Sequence, residues 1–187
     1  MIITSKRFLF DEEIYQINQT ILGDNFPWYF QSSATSAKFH FFSHGLIRRY
    51  DHTKEEPEFN SDMTQHILNM FKRFVDEHEI KVNKVTRACI NLTHHHGKYK
   101  HGDPHVDHEF PHKVFMLYLN DCSGDTLIFD KVYNGKKTVL DVKTKLKVVK
   151  KIKPELGKAV CWDGKYYHTA SFCKPMERRV VVVITFV

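Results

Sequence analysis

The chain is sparing with cysteine and has no long apolar run. Cys89, Cys122, Cys161 and Cys173 are its four cysteines in 187 residues, far apart and without a Cys-x-x-Cys pair. A disulfide scaffold or a zinc ribbon is therefore excluded. No window approaches eighteen uninterrupted apolar residues, which argues against a membrane-spanning helix. The first residues lack a basic stretch followed by an apolar one, so a reduced, cytoplasmic protein is expected. There is no internal repeat, low-complexity linker or domain boundary, and the expectation is one domain over residues 1–187, large enough to fold on its own core.

Positive charge is not scarce. The formal net charge is +6, much of it between Lys136 and Pro154. Lys143, Lys145 and Lys147 alternate, which on a strand would place three ammonium groups on one face. Such a stripe fits either a solvated outer face or a polyanion surface.

Residues 1–80 read as mainly helical support with some strands. Ile14, Ile17 and Ile21 recur at helical spacing between Asp11 and Leu22, with acids in the first turn and Gly23 as a stop. Met63, Ile67, Met70, Phe71 and Phe74 form a second stripe, with Asp62 and Gln65 resembling a capping pair. "KFHFFSHGLIRRY" has strand composition, and "DHTKEEPEF" reads as a loop. Residues 81–187 break into short runs rich in Val, Ile, Phe and Tyr: "KVTRACINLT", "HVDHEF", "KVFMLYLN", "DTLIFD", "KTVLDV", "KLKVVKKI", "KAVCWD" and "RRVVVVITFV". Eight short strands without intervening helices suggest a sandwich or barrel.

Two overlapping His-x-Asp patterns stand in "KYKHGDPHVDHEF". On an extended chain, residues two apart share a face, so either pattern presents an imidazole beside a carboxylate. Their flanks separate them. His101-Gly102-Asp103-Pro104 has turn chemistry, whereas His105-Val106-Asp107 has a β-branched centre and leads towards the apolar run Val114–Leu119. A third candidate, His168, follows a Gly-containing turn near the C-terminal strand. Two histidines and one carboxylate on one face of an octahedron leave open positions, a pattern suited to non-haem Fe(II) oxygenases. Zinc sites are more often closed by cysteine or a third histidine.

The order "RACINL", "HVD", "YLND", "GDTLIFD", "PELGKAVCWDGKYYHTAS" and Arg179 with "VVVVITF" resembles the Fe(II)- and 2-oxoglutarate-dependent dioxygenases. It is most similar to small prolyl-hydroxylase-like members encoded by bacteriophages, in which a segment like "FPWYF" (26–30) recurs. The resemblance implies a double-stranded β-helix, a jelly-roll or cupin-like fold, with N-terminal helices packed on its outer sheet. It also implies that His105, Asp107 and His168 hold catalytic iron. 2-Oxoglutarate and O2 would be cosubstrates, and ascorbate a reductant.

A guanidinium suits the distal carboxylate of the cosubstrate. Arg178 and Arg179 are the candidates, and only one can face inward. If Arg179 does, Val181, Val183 and Thr185 follow it, while Val180, Val182, Ile184 and Phe186 pack outward. Tyr118 and Asn91 resemble further cosubstrate-pocket positions. Ser171 reads as a turn residue, Trp162 and Tyr166 as packing, and His94, His95, His96, His101, His108 and His112 as solvated loop residues. The loops 51–60 and 93–104 are expected to frame the mouth. The resemblance favours a protein or peptide substrate, a prolyl side chain in the first instance. A nucleic-acid-directed oxygenase and a non-catalytic jelly-roll binding module are the alternatives.

Overall fold

A computed structural model describes residues 2–32, 38–49 and 58–187. The elements are β1 (Ile2–Ser5), α1 (Asp11–Gln19), β2 (Tyr29–Gln31), β3 (Phe41–Ile47), α2 (Met63–Glu77), β4 (Val85–His94), β5 (Lys113–Tyr118), β6 (Thr126–Val132), β7 (Val148–Ile152), β8 (Ala159–Asp163), β9 (Tyr166–Ala170) and β10 (Arg178–Phe186). Seven strands form a sheet in the order β1-β8-β5-β10-β4-β3-β2, and three form a smaller one, β7-β6-β9. All pairings are antiparallel.

Strand β10 organises the molecule because its two faces do different work. Val180, Val182, Ile184 and Phe186 join residues of α1 and α2 in one core. Phe71 and Phe74 stack edgewise or tilted on Phe115 and Phe186 at centroid distances of 4.9–5.3 Å. The alternate residues Val181 and Val183 face the small sheet, packing with Tyr118, Met116, Ile128 and Trp162. Two facing antiparallel sheets, with helices behind the larger one, form the double-stranded β-helix, or jelly roll.

The helices are joined by a half-buried ion pair. Arg73 of α2 grips Glu13 of α1 through two N–H···O contacts of 2.7 and 2.8 Å, and its guanidinium lies over the rings of Phe8 and Phe10. Helix α1 stops at Gln19, short of Leu22, although Ile21 is still fully buried. Asp62 does not cap α2; its side chain makes no cap bond, and Ser61 Oγ instead accepts from the Met63 amide at 3.2 Å.

Two expected strands are not regular strands. "HVDHEF" is extended only at His105, which makes isolated bridges to His168 and Val139. Pro104 has no N–H with which to continue the ladder, and bends follow at Asp107 and Glu109. "KTVLDV" pairs only through Val139, because the Asp141 carboxylate accepts from the Lys143 amide at 2.8 Å and turns the chain. Lys143, Lys145 and Lys147 therefore lie before β7 on an exposed irregular segment, not on one face of a strand. No helix among the described residues is long and apolar enough to cross a membrane.

Candidate metal centre and cosubstrate pocket

Backbone register brings the three candidate metal ligands together. His105 and His168 exchange two backbone N–H···O bonds of 2.9 Å each, so they form a directly opposed pair whose side chains share a face. Asp107, two residues beyond His105, falls on the same side. The ligand atoms of His105, Asp107 and His168 all lie within 4.8 Å of one another, the one such group among the described residues. His168 is on β9, a strand not expected from the sequence. Its signal was the turn dipeptide Asp163-Gly164 before a run of aromatic and β-branched residues. Gly164 is required there, since a Cβ would come within 2.2 Å of the His112 ring.

The donor set fits a divalent transition ion. His105 Nδ1 lies 3.0 Å from the Asp103 carbonyl and His168 Nδ1 3.2 Å from the Tyr166 carbonyl. A carbonyl can only accept, so each Nδ1 carries the proton and each Nε2 offers a lone pair. Burial, reinforced by the neighbouring His168, lowers the His105 pKa to about 4, which keeps the ring neutral. Burial acts to raise the Asp107 pKa, but His168, His105 and Arg87 outweigh it and hold the carboxyl well below its ordinary range. Asp107 Oδ2 is buried without a hydrogen-bond partner, 3.3 Å from His168 Nε2. A buried carboxylate oxygen is costly in that condition, and a coordinated cation removes the cost.

The competing pair has other work. Asp103 is buried, and its Oδ1 accepts from the Val142 amide at 2.7 Å, pinning the lysine-bearing segment to the metal-ligand segment. His101 turns back on its own neighbour, with Nδ1 2.8 Å from the Gly102 carbonyl.

The concave face of the large sheet continues into a cleft of about 740 Å³ that holds these ligands and Asn91, Thr126 and Arg179. Arg179 points inward and is 3% exposed; Arg178 is exposed and donates to the Leu22 carbonyl at 3.2 Å. Arg179 Nη2 donates to Thr126 Oγ1 at 2.7 Å and contacts Met116 Sδ at 3.2 Å, while its Nε has no partner. Among the described residues it has no carboxylate partner. Tyr118 shares a 2.6 Å hydrogen bond with Thr126, and its ring lies 5.4 Å from the Arg179 guanidinium. Asn91 lies in a cross-strand row Ser43, Asn91, Val181, Tyr118 and accepts from Ser43 Oγ at 2.8 Å. Gly124 lets Arg179 approach, since a Cβ there would meet Cys173 Sγ at 2.8 Å and Arg179 Cδ at 3.3 Å.

Two histidines expected in solvent are buried instead. His108 Nε2 meets Thr185 Oγ1 at 2.8 Å, and its ring stacks on Phe110 at 4.6 Å. His112 is packed under Gly164. The bend after Asp107 directs both into the β-helix. Of the expected rim loops, 93–104 contributes Thr93, His96, Gly102 and Asp103 to the cleft, whereas residues 51–57 of the other lie outside the described residues.

Arg87 and Arg49 also line the cleft and were not anticipated. Arg87 Nη1 is 3.6 Å from Asp107 Oδ1, and Arg49 donates to the Asp107 carbonyl. Period-two spacing from Asn91 places Arg87 on the same face and was the available signal.

Solved structures with this architecture span nearly the whole chain. An oxidoreductase of the 2OG-Fe(II) oxygenase family from Burkholderia pseudomallei matches with a TM-score of 0.66 at 13% identity, over 99% of this chain and 84% of that one. A prolyl hydroxylase from Trichoplax adhaerens, in complex with a hypoxia-inducible-factor oxygen-degradation-domain peptide, gives 0.62 at 11% identity over 99% and 82%. The epimerase SnoN, in complex with Fe3+, alpha-ketoglutarate and nogalamycin RO, gives 0.61 at 10% identity over 99% and 78%. At these identities the likeness is one of fold. A family model described as poxvirus serine/threonine protein kinase matches residues 28–92. Those residues cover only β2, β3, α2 and most of β4, and the match ends before the metal centre. No curated protein sequence matches the chain.

Proposed function

We propose that this protein is a non-haem Fe(II)- and 2-oxoglutarate-dependent dioxygenase that oxidises a C–H bond of its substrate. The observation that carries the reading is one cleft holding both halves of the required site. At one place two imidazoles and a buried carboxylate oxygen converge, and in the same cleft a buried guanidinium has no acid partner among the described residues.

His105, Asp107 and His168 would hold the iron on three sides, leaving positions for cosubstrate and O2. Iron so held supplies oxidation coupled to decarboxylation of 2-oxoglutarate, releasing succinate and CO2. Arg179 would pair with the distal carboxylate of the cosubstrate. Thr126 would orient that guanidinium, and Tyr118, which shares a hydrogen bond with the same hydroxyl, would turn its O–H to the carboxylate beside it. Val181, Val183 and Met116 keep water from the space between. The fold likeness to solved 2OG-Fe(II) oxygenases supports this reading.

Purified protein given Fe(II), ascorbate, O2 and 2-oxoglutarate is expected to form succinate slowly even without substrate. Absence of turnover, with iron and 2-oxoglutarate both shown to bind, would favour a non-catalytic binding module. The sequence resemblance implies a protein side chain as target, but the chemistry of the cleft favours another polymer.

A further inference from the structure

The cleft is longer than its candidate reaction centre. Arg87 and Thr93 face the same side of β4 six residues apart, about 20 Å at the rise of a strand. Those two ends differ in chemistry, and neither is consumed by the metal or the cosubstrate.

At one end the Arg87 side chain, only 18% exposed, makes no hydrogen bond among the described residues. Its one acidic neighbour is Asp107, whose charge a metal would take up. Arg49 stands beside it at the cleft wall. A half-enclosed guanidinium with idle N–H donors is matched to a carboxylate or phosphate.

At the other end is a surface of rings. His40, His96, Phe39 and Phe172 line the cleft there, with His40 and His96 4.8 Å apart and Phe39 and Phe172 5.8 and 4.4 Å from His96, while His94, paired with Arg178 on the opposite face of β4, backs His96 at 4.6 Å. Tyr99 extends this surface from Phe39 at 5.1 Å. The three histidines do not make a metal site, because His94 and His96 are stacked with planes 19° apart and their in-plane lone pairs do not converge. The other pairs meet at 48–84°, so the ring open to a flat partner is that of exposed His40, with the half-buried rings of His96 and Phe172 beside it and Phe39 buried behind them.

The rim supplies the third element. Thr138 and Val139 line the cleft on the segment that carries Lys136, Lys137, Lys143, Lys145 and Lys147, all exposed. That segment is fixed in place by Asp103, by the bridge from Val139 to His105, and by a 2.9 Å bond from the Leu140 amide to the Pro104 carbonyl.

We infer that the cleft takes a single strand of nucleic acid, with bases on the histidine–aromatic surface and backbone phosphates on Arg87, Arg49 and the lysine rim. Stacking rings beside a cationic track are the means by which single strands are held without regard to sequence. A cleft of about 740 Å³ would also admit a small molecule, but such a ligand does not need the lysine rim, and an extended peptide does not need this charge. A duplex keeps its bases stacked and out of reach. The inference rests on the oxygenase reading and names the substrate class for that site.

The test is fluorescence anisotropy of the full-length protein, alone and with Mn(II) and 2-oxoglutarate. The probes are a short labelled DNA single strand, the same strand as a duplex, and an acidic proline-containing peptide. The single strand should bind best, with log affinity falling by about 0.7 per phosphate contact for each tenfold rise in salt. Joint replacement of Lys143, Lys145 and Lys147 by Ala should reduce that slope by about 2. Phe172→Ala should weaken binding about fivefold to a hundredfold with the slope kept. Melting temperatures serve as the check that each variant is folded. Tighter binding of the peptide than of the single strand, or a salt slope unchanged by the lysine replacements, would overturn the inference. Succinate formation without single-strand binding would remove this inference and leave the oxygenase reading. Single-strand binding without any succinate would do the reverse.

Discussion

Arg179 and Thr126 meet inside the β-helix at 2.7 Å, guanidinium to hydroxyl, and among the described residues no acid completes the arrangement. A buried arginine donates to whatever acceptor the fold provides, and a single hydroxyl leaves most of its donors idle. Arg179→Ala should therefore weaken 2-oxoglutarate binding by about 2–5 kcal/mol, roughly thirtyfold or more. Arg178→Ala, at an exposed position, should change it little. Isothermal titration with Mn(II) in place of iron would measure both, and a larger effect at Arg178 would invert the assignment of strand faces to function.

The metal ligands give a sharper contrast. His105→Ala and Asp107→Ala should each abolish Mn(II) binding followed by electron paramagnetic resonance, whereas His101→Ala should leave it intact. Loss of the His101 imidazole removes a hydrogen bond to the adjacent Gly102 carbonyl and a 6.2 Å ring contact with Phe129, neither of them to a metal ligand. Equal loss in all three variants would mean that the two overlapping patterns had been assigned the wrong way round.

Asp103 should matter for stability rather than for metal affinity. Asp103→Ala leaves the Val142 amide without its acceptor, at a cost of about 1–3 kcal/mol, whereas Asp103→Asn keeps an acceptor oxygen and should recover most of that. Chemical denaturation of the metal-free protein measures the difference. The His105 orientation is expected to survive both changes, since its Nδ1 bonds the backbone of residue 103 and not the carboxylate.

The metal-free protein should lose stability between pH 6.5 and 4. Burial holds His105 and His108 at about 4, so the folded state keeps both rings neutral while the unfolded chain takes up protons below its ordinary value of 6.5. Stability is then fully present above pH 6.5 and declines as pH falls towards 4, by up to about 1.4 kcal/mol per pH unit for each ring. Melting curves at pH 7, 6 and 5 test the sign. A melting temperature that rises on acidification would contradict it.

Strands β4, β5, β6, β8 and β10 were legible because each is a run of β-branched or aromatic residues bounded by turn residues, a local property. The inward register of β10 was legible for the same reason, since period-two alternation puts Arg179, Val181, Val183 and Thr185 on one face and, after Arg178 at the exposed end, Val180, Val182, Ile184 and Phe186 on the other. His105 and Asp107 were set apart from His101 and Asp103 by their flanking residues together with His168 downstream and the family resemblance. What the sequence did not disclose depends on partners distant along the chain. The segment around His105 is extended because it pairs with His168, not because of its own propensity. His108 and His112 look like loop residues until the bend after Asp107 delivers them to Thr185 and Gly164. Arg87 shares its sequence run with an expected site residue, but its significance comes from Asp107, twenty residues later, and from the lack of a hydrogen bond to it among the described residues.

The alternation of β10 ties recognition to correct folding. A slip of one residue against β4 and β5 in the direction that puts Val180 in the place of Arg179 would carry Arg179 into the apolar layer beneath α1 and α2 and leave valine in the proposed cosubstrate pocket. The same error would thus strand a charge in the core and delete the carboxylate-binding group. Chains that escaped with a misregistered final strand would be both easily unfolded and unable to bind 2-oxoglutarate. Cosubstrate added during refolding should accordingly act as a selective trap for the correct register.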